Sequence, residues 1–239
     1  MRLSDFSVLT FDCYGTLIDW ESGILAALAP WRAKSGVSID DDPLLAEFGL
    51  HESTQESETP AAHYPAILTD VLRRFGAQHS APPSDEMARA FGDSIADWPA
   101  FPDSAAALRA LQENLKLVVL SNVDRESFMA SEARLGIKFD AVYTAQDIGS
   151  YKPDPRNFEF LLARLADLGH AKSDILHVAQ SLYHDHVPAQ AMGLATCWID
   201  RNAGKPGATK STGKEARYDF RFTSLGGLAE AFRAETSAR

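Results

Sequence analysis

The chain has 239 residues, room for one large domain or for a domain carrying an inserted module. Its 45% hydrophobic and 10% aromatic content is enough for a sizeable core, which excludes a disordered or low-complexity chain. Lys and Arg number 23 against 33 Asp and Glu, a formal charge of −10, which argues against nucleic acid or an anionic membrane as a partner.

The opening Met1-Arg-Leu-Ser-Asp-Phe6 has no signal-peptide core, and nowhere do about 18 apolar residues run together, so a cytoplasmic location is expected. Ser7–Phe11 reads as a first buried strand. The interval to the next strand is too long for a crossover helix, and a structureless loop of that length is implausible. It is helical instead: Tyr64, Ile67, Leu68, Val71, Leu72 and Phe75 make one apolar face, and Met87, Phe91, Ile95 and Trp98 another. The acidic stretch Asp40–Glu58 reads as a solvated helix face plus loop. Residues 20–98 are therefore expected to form a helical module inserted into an α/β core of 1–19 and 99–239, with Pro99 and Pro102 marking the return.

Asp103 is the expected N-cap of a helix over Ser104–Asn114 that turns Leu108 and Leu111 inward. Further strands are predicted at Lys116–Leu120, Asp140–Thr144, Ile175–Ala179 and Ala195–Ile199, with a short last one at Phe220–Phe222. Between them Phe158–Leu168 is a helix with Phe158, Leu161, Leu162, Leu165 and Leu168 on one stripe. Arg201–Arg217, rich in Gly and Lys, reads as a surface loop. Cys13 and Cys197 sit in apolar stretches without CxxC or zinc spacing, so buried thiols are expected. No repeat of fixed period appears, and the alternation of strands and helices is that of an α/β sheet.

In such sheets chemistry collects beyond the carboxyl ends of the strands. The residues just past each strand are therefore informative: Asp12-Cys-Tyr-Gly-Thr16 after the first, Ser121-Asn122 after the second, Lys152-Pro-Asp154 after the third, and Ser181 to Asp185 after the fourth. Asp12 ends a buried run, where an ionised carboxylate is costly unless cations or hydrogen bonds compensate it. Gly15 permits a tight turn, and Thr16 can bond one carboxylate oxygen and leave the other free to attack. One ammonium, two carboxylates and small polar groups converge on one edge.

Phe11-Asp-Cys-Tyr-Gly-Thr-Leu17, Leu120-Ser-Asn122, Tyr151-Lys-Pro-Asp154 and the closing Asp185 resemble, in order, the four motifs of the haloacid dehalogenase (HAD) superfamily, and most of all its L-2-haloacid dehalogenase (type II) branch. The resemblance implies a Rossmann-like doubly wound parallel sheet with a helical cap inserted after the first strand. It implies Asp12, Thr16, Lys152 and Asp185 as catalytic residues, and Cys13, Tyr14, Ser121, Asn122 and Ser181 around a small anionic substrate. It also implies no cofactor and a homodimer. Phosphatases of the superfamily place a second Asp two residues after the nucleophile, as the acid for an alcohol leaving group. Tyr14 stands here, and a halide needs no proton. They also carry an Asp four residues before the position of Asp185, where Ser181 stands, so Asp12 and Asp185 alone make a thin Mg²⁺ site.

Lys152 is the expected cation beside Asp12. Ser121 and Asn122 are candidates for the substrate carboxylate, and Asp185 for orienting Lys152 or water. His184 and His186 flank Asp185 without making a metal motif. The chain departs from the dehalogenase pattern at Phe158, where that family has Tyr, and at Gln180 and Leu182, where it has Ser and Asn. Gln180 or His184 is then the expected helper for the hydrolytic water. The family's cap arginine has no counterpart around Phe48-Gly-Leu-His51-Glu52, with His51, His63 or Tyr64 as replacements. The reading is a hydrolase that cleaves the carbon–halogen bond of short 2-haloacids through an aspartyl ester on Asp12. The alternatives are a Mg²⁺-dependent phosphatase acting on a small phosphate ester, or a HAD-fold binding protein with feeble catalysis.

Overall fold

The computed structural model describes residues 1–202 and 216–237. Among these residues six strands, β1 (Val8–Phe11), β2 (Lys116–Ser121), β3 (Ala141–Thr144), β4 (Ile175–Ala179), β5 (Ala195–Ile199) and β6 (Phe220–Phe222), form one parallel sheet in the order β3-β2-β1-β4-β5-β6. The period-two alternation of strand side chains sorts the core onto two faces. Leu9, Phe11, Leu117, Val119, Leu176 and Val178 pack into one cluster, and Val8, Val118, Leu120 and Ile175 into the other. The first face is covered by α5 (Ser104–Gln112) and α10 (Leu225–Ser237) through Leu108, Leu111, Leu228 and Phe232. The second is covered by α8 (Arg156–Asp167) and α9 (Val187–Ala191) through Phe158, Leu161, Leu165 and Ala189. Each such large side chain contributes roughly 1.5–3 kcal/mol by leaving water. The remaining core helices are α6 (Arg125–Leu135) and the short α7 (Ala145–Ile148).

β1 lies between β2 and β4, with Phe11 in register with Val119 on one side and Val178 on the other. The strand order reverses there, and the residues after β1 open into the crevice that such a reversal leaves.

Between β1 and β2 the chain builds a helical cap from α1 (Trp20–Ser35), α2 (Asp41–Glu58), α3 (Tyr64–Gln78) and α4 (Asp85–Gly92). Its entry and exit run side by side: Asp19 N donates to Pro99 O at 2.8 Å, and Phe101 N to Leu17 O at 3.1 Å. Phe48 is wholly buried in the cap, its ring 5.7 Å from Trp20 and 6.3 Å from Phe91. Gly23 lets α1 close on Trp98, since a Cβ there would lie 2.4 Å from Trp98 Cγ. Asp124 ties cap to core. Its Oδ1 caps α6 by accepting from Ser127 N at 3.0 Å, and its Oδ2 accepts from Tyr64 N, at the start of α3, at 3.1 Å.

The predicted strands are present with ends shifted by at most one residue, and Cys13 and Cys197 are buried thiols. Three expectations change. Asp40–Glu58 is not a solvated face plus loop: α2 runs through Asp41–Glu58 and buries Leu44, Leu45, Phe48, Gln55 and Glu56. Asp103 precedes α5, but its carboxylate turns away to accept from Arg201 Nη1 at 2.7 Å and Gly226 N at 2.9 Å, a charged partner outcompeting the cap. Leu168 lies beyond the last turn of α8 and is 62% exposed, so the inward stripe ends at Leu165. Most of the expected loop 201–217 lies outside the described residues. Among the described residues no helix is long and apolar enough to cross a membrane.

Candidate active site

The four loops after β1 to β4 meet over one small cavity of about 80 Å³. Asp12 comes directly after β1, and the chain then turns through Gly15, which sits at φ +91°. A Cβ at Gly15 would lie 3.0 Å from Trp20 Nε1 and 3.3 Å from Gln180 Oε1, so the turn requires both the positive φ and the missing side chain. The turn brings Thr16 back over Asp12: its Oγ1 donates to Asp12 Oδ2 at 2.7 Å and accepts from Gln180 N at 2.9 Å. Lys152 Nζ donates to Asp12 Oδ1 at 2.9 Å, Asp185 Oδ1 at 2.7 Å and Leu120 O at 3.0 Å, which satisfies all three of its protons. Both Asp12 oxygens are therefore engaged, in place of the free one expected from the sequence. A carboxylate oxygen has two acceptor sites, so each retains one.

The Lys152 and Asp185 side chains are each 1% exposed, and that of Asp12 is 8% exposed. Burial opposes the Lys152 charge, but Asp12 and Asp185 hold it above its ordinary value. Burial likewise opposes the Asp185 charge, yet Lys152 and the bond from His177 hold that carboxyl well below the usual range. Asp12 goes the other way, its pKa raised by burial against the pull of Lys152. Lys152 and His177 thus hold Asp185 as an anion beneath Asp12.

Asn122 clamps the loop that carries Lys152. Its Oδ1 accepts from Lys152 N at 2.6 Å and its Nδ2 donates to Lys152 O at 3.0 Å. Tyr14 lines the cavity with its ring against Tyr64 and Trp98, while its hydroxyl bonds Ser131 Oγ at 2.8 Å. Burial raises its pKa well above the ordinary phenol value. Ser181 starts a five-residue π-helical turn over Leu182–His186 that swings Asp185 back under the cavity, with Ser181 Oγ accepting from His184 N at 3.0 Å.

Of the residues singled out in the sequence, Asp12, Tyr14, Asn122, Lys152, Ser181 and Asp185 line the cavity, joined by Gln180 and His184. Thr16 supports Asp12 from behind. Ser121 is buried, and its Oγ has no partner among the described residues. Cys13 is not at the surface of the cavity; it is packed in the hydrophobic core under the turn. His186 is buried with Nε2 against Ala179 O at 3.0 Å. Of the three cap candidates for a missing arginine, Tyr64 lines the cavity and His51 and His63 do not.

Two features escape the sequence. His177, in the middle of β4, links Asp185 Oδ1 (3.1 Å) to Thr10 Oγ1 (2.9 Å), a buried chain behind the ion pair. A His inside an otherwise apolar strand is the available signal. The other is Glu52 and Glu56, one turn apart on α2, which look into the cavity from the cap. Their spacing of four is visible, but the sequence around them reads as solvent-facing. Among the described residues no three His, Cys, Asp or Glu side chains converge as a metal site would need.

These features agree with what the chain is similar to. A family model described as haloacid dehalogenase-like hydrolase matches residues 6–185. An (S)-2-haloacid dehalogenase of Pseudomonas sp. (strain YL) is 28% identical, the match covering 96% of this chain and 95% of the relative. A phosphoserine phosphatase of Thermus thermophilus is 30% identical, over 88% of this chain and 80% of the relative. The solved structure of an L-2-haloacid dehalogenase from Xanthobacter autotrophicus, with chloropropionic acid covalently bound, superposes with a TM-score of 0.76. It covers 95% of this chain and 98% of that one at 18% identity, a likeness of fold.

Proposed function

The chain belongs to the haloacid dehalogenase-like hydrolase family, and from that premise we propose that it hydrolyses the carbon–halogen bond of short 2-haloacids through an ester on Asp12, without a metal. The observation that carries this reading is Tyr14. The residue two places beyond the nucleophile is a phenol with a raised pKa, bonded to Ser131, so the leaving group departs without a proton from that position. A halide can do so.

The cap over residues 20–98 closes the site above a core of 1–19 and 99–239. The substrate carboxylate sits against the backbone N–H groups of Asn122 and Val123, which line the cavity, with the buried Ser121 hydroxyl behind them, and this places C2 at Asp12. An Asp12 oxygen forms a bond to C2, and the carbon–halogen bond breaks with its electron pair leaving on the halide. Thr16 and Lys152 hold the carboxylate in position for that displacement. Water then attacks the Asp12 carbonyl carbon, with Asp185 Oδ2, buried and without a partner among the described residues, accepting one of its hydrogen bonds. The ester C–O bond breaks, one water proton ends on the released 2-hydroxy acid, and the other goes to solvent. Asp12 regains its carboxylate with one oxygen from water.

A magnesium-dependent phosphatase has support in the Thermus relative, but the site suits it less. Ser181 stands where a further metal carboxylate is needed, and Lys152 already occupies both acids.

Incubation with L-2-chloropropionate should release chloride with EDTA present, and repeated turnover in oxygen-18 water should label Asp12, read by peptide mass spectrometry. Asp12→Asn should lower turnover by at least about 10³-fold. Phosphate release from an aryl phosphate only with Mg²⁺, and no chloride, would overturn the reading.

A further inference from the structure

Among the described residues the reaction cavity is lined by more acids than cations. Asp12, Glu52, Glu56 and Asp185 line it, and Lys152 is the only Lys or Arg among the described lining residues. Lys152 gives its hydrogen bonds to Asp12 and Asp185, at 2.9 and 2.7 Å, and to Leu120 O, and it acts on Glu56 only as a charge through space. On the cap side Glu56 is 7% exposed, and its carboxylate accepts from the Asn122 amide at 3.5 Å, a weak bond. Glu52 is fixed one turn earlier by the hydroxyl of Tyr64, itself anchored at its backbone by Asp124. Two further buried acceptors, without partners among the described residues, sit on residues that line the same cavity: the Asp185 Oδ2 oxygen and the Ser53 hydroxyl.

A buried carboxylate without a cation is costly. Burial pushes Glu52 up to about 7, and burial with the neighbouring Glu52 charge raises Glu56 well above its ordinary value against the pull of Lys152. Each acid therefore tends to keep its proton, and an ammonium ion beside the pair would favour the ionised forms. A second cavity of about 310 Å³ adjoins the first across Ser53, Glu56, Lys152 and His184, so a ligand arriving by that side meets Glu56 on its way in.

We propose that Glu52 and Glu56 form an ammonium-binding subsite on the cap face of the cavity, so that the substrate is an amino-substituted, zwitterionic 2-haloacid. The inference rests on the hydrolytic reading for its halogen, and on the cap geometry alone for its ammonium. The carboxylate keeps its place beside Asn122 and Val123, and the ammonium donates to the two glutamates. A second carboxylate or a phosphate in that position would face both acids.

The test separates the two claims. Calorimetric titration of the unaltered protein at pH 8 with the unreactive 3-aminopropionate and propionate should show the amino compound binding about tenfold tighter or more, as a charge-assisted bond provides. Glu56→Gln and Glu52→Gln should each reduce that preference to less than about threefold. In parallel, chloride release from 3-amino-2-chloropropionate should exceed that from 2-chloropropionate in kcat/KM by a similar factor. Equal or tighter binding of propionate, or no binding of either at millimolar concentration, overturns the ammonium subsite, whatever the variants do. An ammonium preference in binding without chloride from either compound leaves the subsite standing and removes the dehalogenase reading alone. Chloride from both compounds at equal kcat/KM, with no binding preference, removes the subsite alone.

Discussion

The Lys152 ammonium is the residue on which the site turns, because three acceptors consume its three protons. Removing one member of a buried ion cluster leaves the others uncompensated, at a cost of about 3–5 kcal/mol. Lys152→Met should therefore lower the melting temperature by roughly 10 °C, since each kcal/mol corresponds to about 2–4 °C at this size. It should also abolish turnover; a Met variant as stable as the parent would mean that the ion cluster does not stabilise the fold. Asp12, Thr16, Lys152 and Asp185 are legible in the sequence because each comes directly after a predicted strand or lies in the loop beyond one. His177 is not: a lone histidine in Ile175–Ala179 looks like any buried strand residue until Asp185 is seen to fold back beneath it. Glu52 and Glu56 are hidden for the opposite reason, since nothing local distinguishes an acid facing solvent from one facing a cavity made largely by residues distant in the chain.

At the scale of elements, the sheet is readable almost entirely, because buried parallel strands are short apolar runs with sharp ends. Helix α10 is not singled out by the sequence reading, although Leu225, Leu228 and Phe232 repeat at helical spacing just past Phe222. Helix α2 is misread because its acidic face outweighs the few apolar residues, Leu44, Leu45 and Phe48, that bury it. No pattern within one element announces the Asp124 link, which spans 60 residues to Tyr64. That carboxylate serves two helices at once. Asp124→Ala removes both the α6 cap and the anchor of α3, and should cost about 1–3 kcal/mol. Urea unfolding should show the lower midpoint, and hydrogen exchange should show faster opening at the start of α3 than in the sheet. Equal protection at residues 64–68 in both proteins would count against the anchor.

For the whole molecule, burial of ionisable groups makes stability depend on pH from both sides. Asp185 is held below the ordinary carboxyl range, so what it contributes is lost as pH falls through that range. His186, lowered to about 4 from 6.5 by burial, must charge on unfolding, and it weakens the fold as pH falls from about 6.5 to 4. Glu52 acts in reverse. With a folded pKa of about 7 against 4.5, the unfolded chain sheds its proton first, so stability falls as pH rises between those values. Glu52→Gln should then gain a few degrees in melting temperature over the parent at pH 8 relative to pH 4.5. A difference that does not change with pH would place Glu52 in solvent.

The contact between Gly23 and Trp98 reaches further than its position in the cap suggests. The indole forms part of the cavity wall, and its seat is fixed by the absence of one methyl group on a helix that carries neither Asp12 nor Lys152. Alanine there would force the ring to shift by about an ångström, shrinking or skewing the chamber while leaving Asp12 and Lys152 intact. Gly23→Ala should therefore alter which chain lengths are accepted, with a crystal structure showing the displaced indole. Tailoring this enzyme toward bulkier or smaller molecules would begin at a residue that no ligand ever meets.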